Sequence, residues 1–241
     1  MVGPLRNVAS RLLVAAHESF ERALHEYEEA QGVAAFWMMC DLRSSAKFRI
    51  ASGEQAAFVR AFGFVEICRR LGSYFSDVQV FKELGDAVLV RATDARELLE
   101  FLVLLDLTGA YARVDEERDP RYPSLSMRSA ITFGTAFKVG ADYLGQPIDR
   151  LARVSGFKQL SDNTLAVLDS AARAQFIRLL EEYPYVDLSD SMQVPAELLK
   201  EGEPTFRLHL LEVNRTAAAD SRDFFARVRR SIVGADFTTG G

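Results

Sequence analysis

Cysteine is scarce in this chain of 241 residues, which has only Cys40 and Cys68. They form no CxxC pair, so neither a zinc site nor a disulfide framework is supported. Cys40 lies in an apolar run and reads as a buried, reduced thiol. Long hydrophobic runs are missing as well. No stretch approaches the ~20 apolar residues that span a bilayer, and the most apolar one, Leu98–Leu107, is broken by Glu100 and Asp106. The opening MVGPLRNVASRLL lacks the apolar centre of a secretion signal. A soluble, cytoplasmic protein is therefore expected. Excess positive charge is also absent. The formal net charge is −5, which leaves no electrostatic footprint for polymeric nucleic acid. Internal repeats and low-complexity blocks are lacking too.

What remains is ordinary globular composition, 49% apolar and 26% charged, in a chain long enough to bury a core. Residues 5–31 show helical spacing through Val8, Leu12, Ala15, Ala16, Phe20, Ala23, Leu24 and Tyr27, with Gly32 as a stop. VAAFWMMCDL (33–42) is a short apolar run ending in a carboxylate and predicts a buried strand. Helical spacing returns over 53–75 through Phe58, Ala61, Phe62, Val65, Ile67 and Leu71. VQVFK (78–82) and DAVLVRA (86–92) flank a tight turn and predict a hairpin. A helix at 94–113, a charged loop at 114–124 and a strand pair at 124–134 and 135–141 follow. Then come a helix at 146–160, a strand at 164–169, a helix at 170–182 and a strand at 205–213. An amphipathic stretch at 223–233 precedes a flexible end. The first half contains βαββαβ, the ferredoxin-like motif. The expected fold is α+β, with a mostly antiparallel sheet and flanking helices. The expected organisation is an N-terminal helix (1–32), one domain (33–214), and a C-terminal helix and tail (215–241).

Two carboxylates stand out. Asp41 ends the first strand and Asp86 sits in the hairpin turn. In a βαββαβ fold these strands can be neighbours, which would bring both acids to one edge of the sheet. Paired carboxylates repel unless a cation neutralises them. Mg²⁺ commonly takes one or two carboxylates plus substrate phosphates. Ordinary turn chemistry accounts for an Asp beside a Gly equally well. After Asp41 the chain reads Leu42-Arg43-Ser44-Ser45-Ala46-Lys47-Phe48. A strand-to-helix turn of small residues can aim backbone N–H groups at an anion, and a Ser-Ser helix cap has the same appearance.

Three segments, in order, resemble class III nucleotidyl cyclases, the adenylyl and guanylyl cyclase superfamily. FWMMCDLRSS is similar to the strand carrying the first metal aspartate. FKELGDAVLV resembles the family's Lys-x-x-Gly-Asp hairpin. ADYLGQPIDRLARV resembles the segment that usually holds Asn-x-x-x-Arg, with SMRSAITFG as the strand before it. The resemblance covers about 33–213. It implies two Mn²⁺ or Mg²⁺ ions on Asp41, Asp86 and the Leu42 carbonyl. It implies a phosphate cradle at Arg43, Ser44 and Ser45, and base recognition by Lys82 and Asp142. Arg153 would stabilise charge on the reacting phosphorus, and Asp149 would contact the ribose. Lys200 or Arg207 would touch the triphosphate. A homodimer with shared active sites is implied too.

Asp149 departs from the family's usual Asn, and an ionised carboxylate only accepts hydrogen bonds. Asp-Leu-Arg-Ser-Ser likewise replaces Asp-Ile-x-Gly-Phe-Thr. In these features the chain resembles the bacterial Pycsar antiphage cyclases, which make cUMP or cCMP for a separate effector protein. Phe48 could fill space that a purine needs, which favours a pyrimidine triphosphate, UTP before CTP. Lys82 and Asp142, by contrast, are the pair adenylyl cyclases use for adenine. Two further alternatives are a degenerate cyclase fold that senses nucleotides and a ferredoxin-like RNA-binding module. Retention of both aspartates argues against the first, and the acidic balance argues against the second. The Gly-Gly-Asp/Glu-Glu-Phe turn of diguanylate-type transferases is absent.

Overall fold

The apolar run at 33–42 is indeed a strand, β1 (Gly32–Leu42). Its side chains alternate between two apolar environments, so it is buried on both faces. The computed structural model describes residues 11, 13–22, 24–25, 32–118, 125–157, 160–189, 191–202 and 204–232. Helix α1 comprises the described residues between 11 and 25, all exposed. The rest of the helix expected at 5–31 lies outside the described residues.

After β1 come α2 (Ser45–Gly72), β2 (Gln79–Glu83), β3 (Ala87–Ala92), α3 (Ala95–Arg118) and β4 (Met127–Val139). These complete the expected βαββαβ unit. The chain continues through β5 (Asp142–Leu144), α4 (Gln146–Val154), β6 (Thr164–Asp169), α5 (Ser170–Phe176), β7 (Val186–Leu188), β8 (Met192–Gln193), β9 (Arg207–Val213), α6 (Arg215–Asp220) and α7 (Arg222–Ile232). The described residues form one nine-stranded sheet in the order β2-β3-β1-β4-β6-β9-β7, with β5 added to β4 and β8 to β9. Only the β4–β6 pairing is parallel.

Even positions of β1 (Phe36, Met38, Cys40, Leu42) pack under α2, α3, α5, α6 and α7. Odd positions (Ala35, Trp37, Met39) face α4 and the β4–β5 hairpin. The first face is fully roofed. The second is roofed mainly by α4, and Phe81, Leu89 and Met39 are half-buried there. The two acids that interrupt the apolar run of α3 anchor later parts of the chain. Tyr183 donates to buried Glu100 at 2.7 Å, and Arg215 grips Asp106 with two hydrogen bonds at 2.6 and 2.9 Å. Both cysteines are free and buried, as expected, and burial pushes the Cys40 thiol up to about 12.

Several expected boundaries need correction. Residues 124–141 do not form a strand pair: β4 runs unbroken through Gly134, and the hairpin partner is the short β5. Gly134 interrupts the side-chain pattern because its φ of 157° is a backbone conformation that residues with a side chain rarely adopt. Helix α3 continues through Arg118, into the segment expected as a loop, since the Glu and Arg residues there favour helix. Helix α2 starts at Ser45 and breaks at Gly53, whose φ of 86° is left-handed. Its buried face carries Arg60, Phe64, Val65, Cys68 and Leu71, while Phe58 and Phe62 stack together on the outside. Two apolar stripes compete on this helix, and the sheet selects one of them. Phe224 and Val228 of α7 are buried in the main core, so that helix packs on the domain.

Trp37 is fully buried, contacts Tyr143 with ring centroids 4.7 Å apart, and donates its indole N–H to the Gly134 carbonyl at 2.9 Å. Trp37→Ala should cost about 3–5 kcal/mol, measured by denaturant unfolding followed by circular dichroism.

Candidate active site

The pairing of β1 with β3 puts Asp41 opposite Ala87. One step further, the Leu42 N–H donates to the Asp86 carbonyl at 3.1 Å. Asp86 follows Gly85, whose φ of 74° makes the hairpin turn. Both acids therefore stand at one end of the sheet. They reach it from different sides: Asp41 shares the α4 side with Met39, while Asp86 lines a groove beside α2. Their charges still act on each other. Burial raises the Asp41 carboxyl above its ordinary value, the hydrogen bond and charge of Arg128 lower it, the Asp86 charge raises it, and Arg60 lowers it; the net direction is up.

Ser44 follows in the left-handed conformation, φ 59° and ψ 26°, with no side-chain cap on α2. A non-glycine residue there is uncommon and marks a strained turn. The Ser45 hydroxyl donates to the Leu42 carbonyl at 3.2 Å, and the Phe48 N–H closes on the Ser44 carbonyl at 2.9 Å. The amides of Ser45, Ala46 and Lys47 form the first turn of the helix after the left-handed residue. That arrangement of N–H groups favours anions. Arg43 is turned away. Its backbone N–H donates to the Ser126 carbonyl at 2.8 Å, and its guanidinium lies toward Ser161 and Asp162.

Lys82 and Asp142, 60 residues apart in sequence, meet at 2.5 Å. The curl of the β4–β5 hairpin brings Asp142 over the half-open face, above the Trp37–Phe81–Tyr143 aromatic cluster. Phe48 is elsewhere. It lines the groove of about 360 Å³ with Asp86, Ser45 and Leu42, beneath Arg60 at 4.9 Å from its ring centroid. The residues expected to read the base are thus split between two regions of one chain. Asp149 is exposed in the first turn of α4, and Arg153 is half-buried in its last turn. The α4 C-terminus packs beside Asp41 through Val154, Ser155 and Phe157. Lys200 is exposed just after Leu198 and Leu199, which pack with the α4 face. Arg207 bonds the Ser191 hydroxyl at 2.7 Å, and the β4–β6–β9 register puts it at the end of the sheet remote from Asp41.

Two arginines escaped the sequence reading. Arg128 stands directly across from Asp41 on β4, and its Nε and Nη2 both donate to Oδ2, at 2.8 and 2.5 Å. Arg60 is 5% exposed and donates to the Arg43 carbonyl at 3.0 Å. A charged residue inside a strand of small and apolar residues, and another on the inner stripe of a helix, were the available signals. Among the described residues no group of three or more His, Cys, Asp or Glu converges, so any cation would rest on the two aspartates, backbone and its own ligands. No described helix is long and apolar enough to cross a membrane.

No protein-family model matches this sequence, and no curated protein matches it. Solved structures do match. A bacterial light-regulated adenylyl cyclase is similar with a TM-score of 0.60 at 14% identity, covering 96% of this chain and 70% of that one. The adenylyl cyclase CyaB from P. aeruginosa gives 0.60 at 13% identity over 76% of this chain and 95% of its own. The guanylyl cyclase Cya2 gives 0.55 at 13% identity over 77% and 95%. Identities this low establish the fold: the α+β architecture of adenylyl and guanylyl cyclase catalytic domains, with a mostly antiparallel sheet and flanking helices.

The raised Asp41 carboxyl has a consequence for stability. A carboxyl raised on folding holds its proton more tightly in the folded state. Its cost is absent below the unfolded value, develops as pH rises through the interval up to the folded value, and is complete above it. Asp41→Asn keeps the shape without the titration. It should flatten the plot of Tm against pH above about pH 4, while Asp41→Ala, which also strands Arg128, should lower Tm at neutral pH.

Proposed function

We propose that this chain is a nucleotidyl cyclase that closes a pyrimidine nucleoside triphosphate, UTP before CTP, into its 3′,5′-cyclic monophosphate with release of pyrophosphate. The observation that carries this reading is the placement of Asp41 and Asp86 at one end of the sheet, just before a left-handed turn and a helix N-terminus. Two interacting carboxylates, one of them partly withdrawn from water, fit hard divalent cations. Asp41, Asp86 and the Leu42 carbonyl would hold two Mn²⁺ or Mg²⁺ ions. Bound there, such ions supply charge neutralisation to the triphosphate and lower the pKa of the attacking hydroxyl.

The residues of the chain have separate tasks. The amides that follow Ser44 take the β- and γ-phosphates, together with the Ser44 hydroxyl and, once it turns away from the Leu42 carbonyl, the Ser45 hydroxyl. Arg43 contributes through the shape of the turn, because its own N–H and side chain are engaged elsewhere. Lys200 adds positive charge to the triphosphate. The 3′-hydroxyl loses its proton, its oxygen bonds to the α-phosphorus, and the bond to pyrophosphate breaks. Arg153 stabilises the charge that develops on phosphorus and on the leaving group. Asp149 accepts a hydrogen bond from the sugar, with Arg153 offsetting its charge, because Arg150 is engaged by Asp169 at 3.0 Å.

The split between Phe48 and the Lys82–Asp142 pair supports a homodimer with shared sites. One protomer would present Asp41, Asp86 and Phe48, and its partner would present Lys82, Asp142, Asp149 and Arg153. The half-open face and the exposed Phe58 and Phe62 are surfaces such a partner could cover. Phe48 under Arg60 narrows the groove in a way that suits a small base. The resemblance to Pycsar cyclases makes the product an antiphage second messenger for a separate effector protein. One observation favours a second reading: the Lys82–Asp142 pair at 2.5 Å is the adenine-type pair, which would make the substrate ATP and the product cAMP.

Incubation with each of the four triphosphates and Mn²⁺, with mass identification of products, decides among these readings. Cyclic UMP is expected. Cyclic AMP would favour the second reading, and nucleotide binding without any cyclic product would favour a sensor. Asp41→Ala and Asp86→Ala should each abolish turnover. Arg153→Ala should lower kcat by about 10³-fold with a smaller change in KM.

A further inference from the structure

Arg128 cannot leave the neighbourhood of Asp41, because eleven consecutive residue pairs, Asp41–Arg128 among them, fix β1 against β4. The side chains are 15% exposed for Asp41 and 35% for Arg128. Both guanidinium nitrogens converge on one carboxylate oxygen, Oδ2, at 2.8 and 2.5 Å. On the α4 side the pair borders a cavity of only about 10 Å³, closed by Met39, Val154, Phe157 and Leu160. That is no more than the ~10–15 Å³ needed to admit a single water. On this side a hydrated cation therefore has no room beside the pair while the guanidinium remains.

An unpaired carboxylate withdrawn from water is costly, and an arginine donating twice to it is an effective neutralising partner. A divalent cation would serve the same purpose. Two positive groups cannot both sit at hydrogen-bonding distance from one oxygen without strong repulsion. We propose that Arg128 is an internal competitor of the divalent cation for Asp41. The guanidinium holds the carboxylate in the cation-free protein, and metal loading requires the two to part. This rests on the reading of Asp41 and Asp86 as a cation site. Arg128 is a positioning residue in this account. It preserves the fold around an empty site and weakens the affinity for metal in the absence of nucleotide. Once displaced, its side chain remains tethered beside the site and favours an anion arriving with the cation. Metal and triphosphate thereby bind cooperatively.

The test is Mn²⁺ binding to the folded full chain, followed as free Mn²⁺ by electron paramagnetic resonance without nucleotide. Arg128→Met keeps the stem volume and adds neither donor nor oxygen ligand. It should bind Mn²⁺ about ten- to a hundredfold more tightly than the unaltered protein, the range that a hydrogen bond to a charged group represents. Arg128→Lys, which lacks the planar fork, should lie between the two. Adding a non-hydrolysable triphosphate should tighten Mn²⁺ binding more in the unaltered protein than in Arg128→Met. Equal or weaker Mn²⁺ binding by a folded Arg128→Met would overturn the proposal, because the cation would then reach Asp41 from the Asp86 side with the guanidinium in place. Should Arg128→Met fail to fold, unchanged affinity in Arg128→Lys would overturn it in the same way. Mn²⁺ binding that is insensitive to Asp41→Asn and Asp86→Asn would instead remove the cation site itself.

Discussion

Antiparallel pairing of β1 with β3 brings two aspartates to one end of the sheet, where burial and a neighbouring charge act on Asp41. Asp41 is partly withdrawn from water, feels the charge of Asp86, and is held by an arginine from the adjoining strand. Left alone, these groups work against stability. A folded domain keeps such a cluster where the cluster has a use. The neighbouring backbone supports this view. Ser44 takes a conformation that glycine would adopt more easily, and it does so three residues after the first aspartate. Arg60, nearly buried, braces the same turn through the Arg43 carbonyl.

The βαββαβ core was legible because each strand and helix carries its own periodicity. VAAFWMMCDL could hardly be anything but a buried strand, and ELGD between two β-branched runs announced its hairpin. Asp41 and Asp86 were legible for the same reason, since strand ends and hairpin tips are fixed by local chemistry. Lys82 and Asp142 came from the resemblance, and the structure brings them into contact across 60 residues of sequence. What stayed hidden depended on the packing of distant segments. Arg128 looks like any strand arginine until the β1–β4 register sets it opposite Asp41. Arg60 sits on a helix with two apolar stripes, and only the sheet determines that Phe64 goes in and Phe58 stays out. Gly134 mimicked a turn because its φ of 157° bends the strand's backbone where glycine is preferred.

The two faces of the sheet divide the labour. One is roofed by five helices and contains the larger core, tied by Glu100 and Asp106 to Tyr183 and Arg215. The other is only partly roofed and exposes the Lys82–Asp142 pair and the flank of α4. Stability is concentrated on the first face, which leaves the second free to carry polar groups that a closed core would exclude. A face of this kind suits a ligand shared with a second copy of the chain.

The central claim is that the Asp41 and Asp86 carboxylates share divalent cations beside a triphosphate. The most direct measurement is a crystal structure with Mn²⁺ and a non-hydrolysable nucleoside triphosphate analogue, with data collected for the anomalous signal of manganese. Anomalous peaks within coordination distance of both carboxylates and of the triphosphate oxygens are the predicted result. Manganese bound elsewhere, with Asp41 still held by Arg128 and the analogue far from the β1–β3 strand end, would contradict the account.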